Sequence, residues 1–507
     1  MVDRRPSFSS YKEVFTDYKT GLFFLNSLLL AFLTTTLSTI LGIFTGFLFG
    51  KTDLPFKGIY RILFLVPFII PSYIYGLAWA DLLGKTGLLN NLISGIPFVT
   101  ADMISSFMYS AFGGAMVLGL SFFPVIMLIA EGSFSRVGTH MEESGLIFEG
   151  RGRVITKVLL PLAAPGIFSG MLIVFILTLS EFGVPFLLDI KVLTTQIFTQ
   201  FSAFYNEKAA VALSIPLVCV TVSLMVVERI YLKGRSFEAL GRGTNTRTYK
   251  YLLGRWKIPC VIACCLILAV VVVFPLVTLV MDSWSLDAYK KAFLLTRQSI
   301  MNTLVFGVVG ASLITLLGLA IGYFSEKARI YIGKGMEFSM VMLFAIPGTV
   351  IGVGLIRLWN RPDGFSQFVY GSFIIIIIGY VARFAPIAAR TMADSYRQVP
   401  NNLVDAAEVA GAGWWRLKGK ILIPLVGSGI MITWLLSFIF CVGEIGTTIL
   451  VYPPGQETLP IALFTVMANS PTNVVAAVSV LLVVIVLVPV GMFLGIIHLV
   501  RTRLCWF

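Results

Sequence analysis

The chain has 507 residues, of which 57% are hydrophobic and only 12% are charged, and its mean hydropathy is +0.92. An average soluble domain carries about 25% charged residues, so this composition excludes a soluble fold. The formal net charge of +13 does not indicate nucleic-acid binding, because the basic residues lie in short loops between apolar runs.

Eleven apolar runs are long enough to cross a bilayer, whose hydrocarbon core takes about 20 mostly apolar residues per helix. Lipid offers no partner for unpaired backbone groups, and the weak alternation of outer-membrane barrels is missing from the sequence. We therefore predict an all-α polytopic membrane protein with about 11 transmembrane helices, kinked at Pro67, Pro71 and Pro347. The runs cover residues 21–50, 58–84, 104–131, 158–186, 209–232, 258–281, 300–323, 337–359, 372–393, 421–449 and 472–500.

The basic loops predict the orientation of the chain in a bacterial inner membrane. Lysine and arginine collect after every second run, for example in residues 51–61, 136–157 and 233–257, and such loops face the cytoplasm. With eleven spans, the N-terminus then lies outside and the C-terminus in the cytoplasm. Residues 1–20 carry mixed charge and no apolar run, which predicts a short external tail and no cleavable signal peptide.

The sequence contains two copies of one unit. Three pairs of identical residues lie 276 positions apart, and six further pairs lie 263 positions apart. We therefore predict a parallel duplication, with both copies in one orientation. The predicted domains are residues 21–232, a basic linker at 233–257, and residues 258–507 with a repeat core at 298–500. The helix at 258–281 has no counterpart in the first copy. The repeated residues are Asn26, Gly42 and Gly46 with Asn302, Gly318 and Gly322 at an offset of 276, and then Pro161, Gly166, Glu181, Gly183, Thr195 and Asn206 with Pro424, Gly429, Glu444, Gly446, Thr458 and Asn469.

One cytoplasmic loop of the second copy has a specific spacing. It reads DAAEVAGAGWWRLKGKILIP, with Asp405, Ala406, Ala407 and Gly411 before Pro424. Small residues let a short helix seat closely on another protein, and glycine ends that helix. The loop predicts a docking element.

The corresponding loop of the first copy is degenerate. It reads EESGLIFEGRGRVITKVLLP, in which Glu142 keeps the acidic position, while Glu143 and Ser144 replace the two alanines. Phe148 takes the glycine position, although Gly150 falls opposite Gly413 of the second copy.

These two loops resemble the EAA loop of type I ABC importer permeases, also called binding-protein-dependent transport inner-membrane components. The resemblance implies that Glu142 to Gly150 and Asp405 to Gly413 couple to two copies of a cytoplasmic ATP-binding cassette subunit. It also implies an external or periplasmic substrate-binding protein as a partner. An ordinary amphipathic cytoplasmic loop is the alternative. No nucleic acid is expected, and membrane lipid surrounds the chain.

ATP is expected to be used by the partner subunits, and no cofactor is expected in this chain. The tripeptides Gly50-Lys51-Thr52 and Gly84-Lys85-Thr86 have Thr45 and Trp79 where a P-loop requires glycine. No resident metal is predicted either, since the chain has only two distant histidines and its cysteines lack a metal-ligand spacing.

Ionisable residues inside predicted spans are candidates for function. Glu181 and Glu444 hold the same place in the two copies and precede Gly183 and Gly446. They either line or gate a path for a cationic or metal-bearing substrate, or they hydrogen-bond a neighbouring helix and hold a kink. Arg383 has no charged counterpart in the first copy, and we interpret it as structural.

The coupling loops, the SEFG and GEIG motifs and the fused duplication together resemble iron(III) transport permeases, a branch close to thiamine and aminophosphonate permeases. The resemblance implies a permease that forms a translocation path and is not itself an enzyme. The alternative cargoes are thiamine, an aminophosphonate or another small solute. An ion-coupled secondary transporter is the alternative from another class, and it would use Glu181 and Glu444 without a partner.

Overall fold

The computed structural model describes residues 16–85, 87, 90, 100–232, 249–327, 343 and 346–504. Of the described residues, 84% are helical, which confirms the predicted all-α class. The chain divides into two compact units, Met1–Asp282 and Ser283–Phe507.

The described helices of the two units are given in chain order. Those of the first unit are α1 (Tyr18–Lys51), α2 (Lys57–Ile69), α3 (Ser72–Leu83), α4 (Ala101–Met108), α5 (Ala111–Arg136), α6 (Thr139–Phe148), α7 (Arg151–Leu179), α8 (Gly183–Leu187), α9 (Leu193–Ser202), α10 (Glu207–Leu232) and α11 (Gly254–Asp282). Those of the second unit are α12 (Leu286–Lys327), α13 (Gly348–Trp359), α14 (Gly364–Tyr370), α15 (Ile374–Arg397), α16 (Asn401–Val409), α17 (Leu417–Leu425), α18 (Gly427–Gly443), α19 (Thr448–Val451), α20 (Leu459–Asn469) and α21 (Thr472–Leu504).

Among the described residues, eight helices are long and apolar enough to cross a membrane, or ten if two bent pairs each count as one span. This confirms a polytopic membrane protein. The eighth predicted run, 337–359, includes residues 337–342 and 344–345, which lie outside the described residues. Its described part contains α13.

One predicted span is sharply broken. The run at 58–84 forms α2 and α3, whose axes differ by 94°. Ile70 is extended (φ −74°, ψ 133°) and Pro71 precedes the first residue of α3. A residue before proline avoids the helical conformation and proline cannot donate a backbone hydrogen bond, so the chain turns here instead of bending gently.

The duplicated residues make equivalent contacts in the two units. Asn26 Nδ2 donates to the Lys191 carbonyl at 3.1 Å, and Asn302 Nδ2 donates to the Glu457 carbonyl at 3.0 Å. The next residue in each copy accepts a hydrogen bond as well, since Leu193 N donates to Ser27 Oγ at 2.9 Å and Leu459 N to Thr303 Oγ1 at 2.7 Å. In each unit, the asparagine and the hydroxyl-bearing residue after it thus join the first long helix, α1 or α12, to the chain at the start of α9 or α20.

The repeated glycines lie where two long helices touch. A Cβ at Gly46 would lie 2.8 Å from the Met127 carbonyl oxygen on α5, and a Cβ at Gly322 would lie 2.8 Å from the backbone nitrogen of Ala393 on α15. Because backbone atoms cannot rotate away, only glycine permits these approaches. Close backbone packing of this kind stabilises helix pairs in lipid, where burial of apolar surface contributes little.

We expect the substitution Gly322→Val to lower the free energy of unfolding by about 1–3 kcal/mol, because it forces α12 and α15 apart. Denaturation of the purified chain in detergent measures the change. Gly491→Val in α21 is the matched control, since a Cβ there meets nothing within 4 Å. Equal stability of the two variants would contradict the packing role of Gly322.

Helix α11 packs within the first unit, although chain order led us to assign residues 258–281 to the second domain. Tyr75 in α3 donates through its hydroxyl to the Val271 carbonyl at 2.9 Å. Cys264, Val271 and Val272 are buried in the same apolar core as the side chains of α1, α2, α3 and α5. The boundary between the compact units accordingly lies at Asp282 instead of residue 257.

Candidate functional site

The second predicted docking loop forms the short helix α16, which ends at a left-handed glycine. Gly411 has a φ of +76°, and Ala412 N donates back to the Ala407 carbonyl at 3.0 Å. Residues with a Cβ are strained at this φ, so glycine is required here to close the helix. The predicted role of Gly411 as the helix stop agrees with this geometry.

Helix α16 exposes a mixed acidic and apolar face. Asp405 and Ala406 are exposed, whereas Ala407 packs against the buried cluster around Tyr396. Val409, the last residue of α16, is 90% exposed, and Trp415, further along the loop, is 81% exposed. Large apolar side chains exposed next to a helix end outside the spans are typical of a surface that binds another protein.

The degenerate loop of the first copy forms the equivalent helix, α6. Glu143 and Ser144 are exposed on it, and its last two residues, Ile147 and Phe148, are 78% and 86% exposed. The helix ends without a left-handed residue, since Glu149 is extended with a φ of −135°. Gly150 follows, and its carbonyl accepts from Arg153 N at 2.9 Å to begin α7.

Glu142 does not lie on the exposed face of α6. Its side chain is fully buried and forms an ion pair with the equally buried Lys51 at the end of α1. Lys51 Nζ also donates to the Val137 carbonyl at 3.3 Å. The two acidic positions of the predicted docking loops therefore differ, because Asp405 is exposed. Sequence reasoning missed Lys51, which lies 91 positions away in the chain.

Glu181 stands at the break between α7 and α8. Its Oε1 accepts from Ser72 Oγ at 2.8 Å, from Gly183 N at 3.1 Å and from Val184 N at 3.4 Å. A carboxylate at a helix N-terminus satisfies otherwise unpaired N–H groups and interacts favourably with the helix dipole. Glu181 thus caps α8, and Gly183 is buried close against Tyr73.

Glu444 makes the same kind of cap in the second copy, with an added ion pair. Its carboxylate accepts from Thr447 N at 2.8 Å and from Thr448 N and Oγ1 at 3.0 and 2.6 Å. Arg383 Nη1 in α15 donates to Oε1 at 2.9 Å, and the Glu444 side chain is only 1% exposed. Gly446 is buried in the turn between Glu444 and α19.

Arg383 reaches Glu444 because Gly348 leaves room for it. Gly348, the first residue of α13, has no side chain in the space that the guanidinium occupies. The structural interpretation of Arg383 agrees with this contact. The contacts of both carboxylates are those expected of groups that hold a helix break, while their role in a substrate path stays a prediction. Among the described residues, no three His, Cys, Asp or Glu side chains lie close enough to hold a metal ion.

The chain is similar to known transport permeases. Residues 314–500 match the family model described as the binding-protein-dependent transport system inner membrane component. A putative ferric transport system permease protein of Haemophilus influenzae is 25% identical over 442 residues, which cover 82% of this chain and 67% of the relative. A ferric transport system permease protein of Actinobacillus pleuropneumoniae is 24% identical, with 82% and 62% covered.

A second relative from Haemophilus influenzae, an Fe(3+)-transport system permease protein, is 23% identical over 87% of this chain and 83% of its own length. These matches therefore extend into both units of the chain. The predicted resemblance is confirmed: the chain resembles type I ABC importer permeases and, among them, ferric permeases.

Proposed function

We propose that this chain, which resembles type I ABC importer permeases in both of its units, is the permease subunit of an ATP-driven importer in the bacterial inner membrane. The observation that carries the proposal is the pair of short helices α6 and α16, which hold the same place in the two copies and expose apolar residues at their ends. In this proposal, the chain forms the translocation path and separate subunits hydrolyse ATP.

The proposed partners follow from the two docking helices. Each helix takes one ATP-binding cassette subunit on the side that the basic loops mark as cytoplasmic, with Phe148 or Val409 inserted into a groove of the subunit. An external substrate-binding protein delivers the cargo to the opposite side. Closure of the ATP-binding subunits moves the docking helices and so alternates access to the path.

We propose iron(III) as the cargo. Three relatives that align along most of this chain carry ferric or Fe(3+) transport in their names, and the resemblance of the SEFG and GEIG motifs supports the same class. Thiamine and aminophosphonates are the alternative cargoes. They are distinguished by the binding protein that the permease accepts.

The geometry around Glu181 and Glu444 disfavours an ion-coupled secondary transporter. Such a transporter releases and binds protons or ions at intramembrane carboxylates. Here Glu444 accepts four hydrogen bonds, including one from Arg383, and Glu181 accepts bonds from two backbone N–H groups. Exchange of an ion at Glu444 requires the cap of α19 to open.

We expect uptake into proteoliposomes that hold this chain and its ATP-binding subunits to require ATP and a ferric binding protein. Iron(III), thiamine and a phosphonate, each offered on its own binding protein, should give radiolabel uptake only for iron(III). A gradient of protons or sodium without ATP is the control for secondary transport. Uptake driven by the gradient alone would overturn the importer proposal, and uptake of another cargo would overturn only the choice of iron.

A further inference from the structure

The buried ion pair between Lys51 and Glu142 links the first docking helix to a membrane helix. Both side chains are 0% exposed, and one lies at the last residue of α1 while the other lies in the first turn of α6. Burying two charges is costly, and such a pair persists where geometry and further hydrogen bonds compensate. Removing one partner leaves an uncompensated charge in the interior.

A short segment at 249–253, which we name the strap, covers this pair. Its Tyr251 N donates to the Lys51 carbonyl at 2.7 Å, and Thr52 and Tyr251 form a parallel bridge. Leu253 N donates to Asp53 Oδ1 at 2.8 Å. The strap leads directly into α11, so it joins the end of α1 to that helix.

Tyr251 holds the strap in place from the inside. Its side chain is 5% exposed and packs in the apolar cluster of Phe134, Val137 and Leu159. Burial and the neighbouring Glu142 carboxylate raise the pKa of Tyr251 above its ordinary value. The hydroxyl therefore keeps its proton and faces the carboxylate as a neutral neighbour.

We propose that Lys51, Glu142 and Tyr251 form a latch that fixes α6 to α1 and, through the strap, to α11. The latch holds the first docking helix rigidly against α1, whereas Asp405, at the corresponding position of α16, is exposed. The three residues are thus positioning residues for coupling. The role of the latch in coupling rests on the proposed function, whereas the contacts of the latch do not.

Hydrogen–deuterium exchange of the chain alone in nanodiscs tests the latch without any partner. We expect K51Q and E142Q to speed exchange of the α6 amides at least about tenfold, because the helix loses its buried tie. The matched control is K157Q, which removes an exposed lysine paired with Glu149 near the same loop. Unchanged exchange in K51Q and E142Q would overturn the latch.

Two further variants keep the test decisive where K51Q or E142Q fails to fold. E142D retains the charge but shortens the side chain, and it should also speed exchange in α6. The reversed pair K51E/E142K should restore protection above that of either single change. If E142D, K51E, E142K and the double variant K51E/E142K all exchange the α6 amides as slowly as the unaltered chain, the ion pair does not hold α6.

The role in coupling needs the whole complex. In proteoliposomes with the ATP-binding subunits, E142D should leave their binding intact but lower transport per ATP hydrolysed about fivefold or more. K157Q should change neither quantity. Faster exchange with normal transport per ATP would overturn the coupling role, while faster exchange in a chain that binds no ATP-binding subunit would overturn the proposed function and leave the latch standing.

Discussion

Replacing Glu444 by alanine is expected to lower the free energy of unfolding by about 3 kcal/mol, because it leaves the Arg383 guanidinium without its carboxylate in a largely buried position. The N–H groups of Thr447 and Thr448 lose their cap at the same time. Titration of the purified chain with a denaturing detergent, followed by tryptophan fluorescence, measures the loss.

A double-mutant cycle separates the ion pair from the cap. Replacing both Arg383 and Glu444 by methionine should cost less than the sum of the two single methionine variants, since neither partner is then left charged and alone. Additive costs would mean that Arg383 and Glu444 do not stabilise one another. Glu444→Gln is the isosteric control, which keeps an acceptor for Thr448 but removes the charge.

Replacing Trp415 by alanine should weaken binding of the ATP-binding subunit about 30-fold or more, which corresponds to about 2 kcal/mol at an aromatic hot spot. Trp415 is 81% exposed and follows α16, which ends at Val409, in the chain. The affinity of the purified subunit for the chain in nanodiscs measures the effect.

The matched control for this prediction is Trp284→Ala. Trp284 is 83% exposed and lies between α11 and α12, on the side that the charge rule places outside the cell. Its removal should leave the affinity unchanged. If both variants bind the subunit as tightly as the unaltered chain, the surface around α16 is not the docking surface.

Much of the fold follows from the sequence because lipid imposes one rule on every apolar run. A run of about 20 apolar residues must form a helix, so most predicted spans match helices of the structure. The repeat could also be recognised in the sequence. Gly46 and Gly322 occupy the same position in the two copies because each meets backbone atoms of a neighbouring helix. Gly411 signalled the end of α16 since only glycine adopts its φ without strain.

The features that the sequence did not predict depend on partners distant in the chain. Hydropathy records that α11 is apolar but not which helices it contacts, so its packing in the first unit could not be read from residues 258–281. Glu142 looks like its counterpart Asp405, and only Lys51, folded against it, buries one and not the other. The break at Ile70 was predicted as a kink, since a single proline gives no measure of the angle.

The position of α11 has a consequence for how this protein is made. A ribosome that has finished α10 has not yet supplied the helix that covers α2 and α3, because α11 is encoded after the residues 233–248 that join it to the first copy. The first unit therefore completes its core only once synthesis reaches Asp282. If the two copies were separated within residues 233–248 into independent polypeptides, α11, the last helix of the first unit, would belong to the second product. Fusion of the copies therefore ensures that the first unit and its covering helix are inserted together.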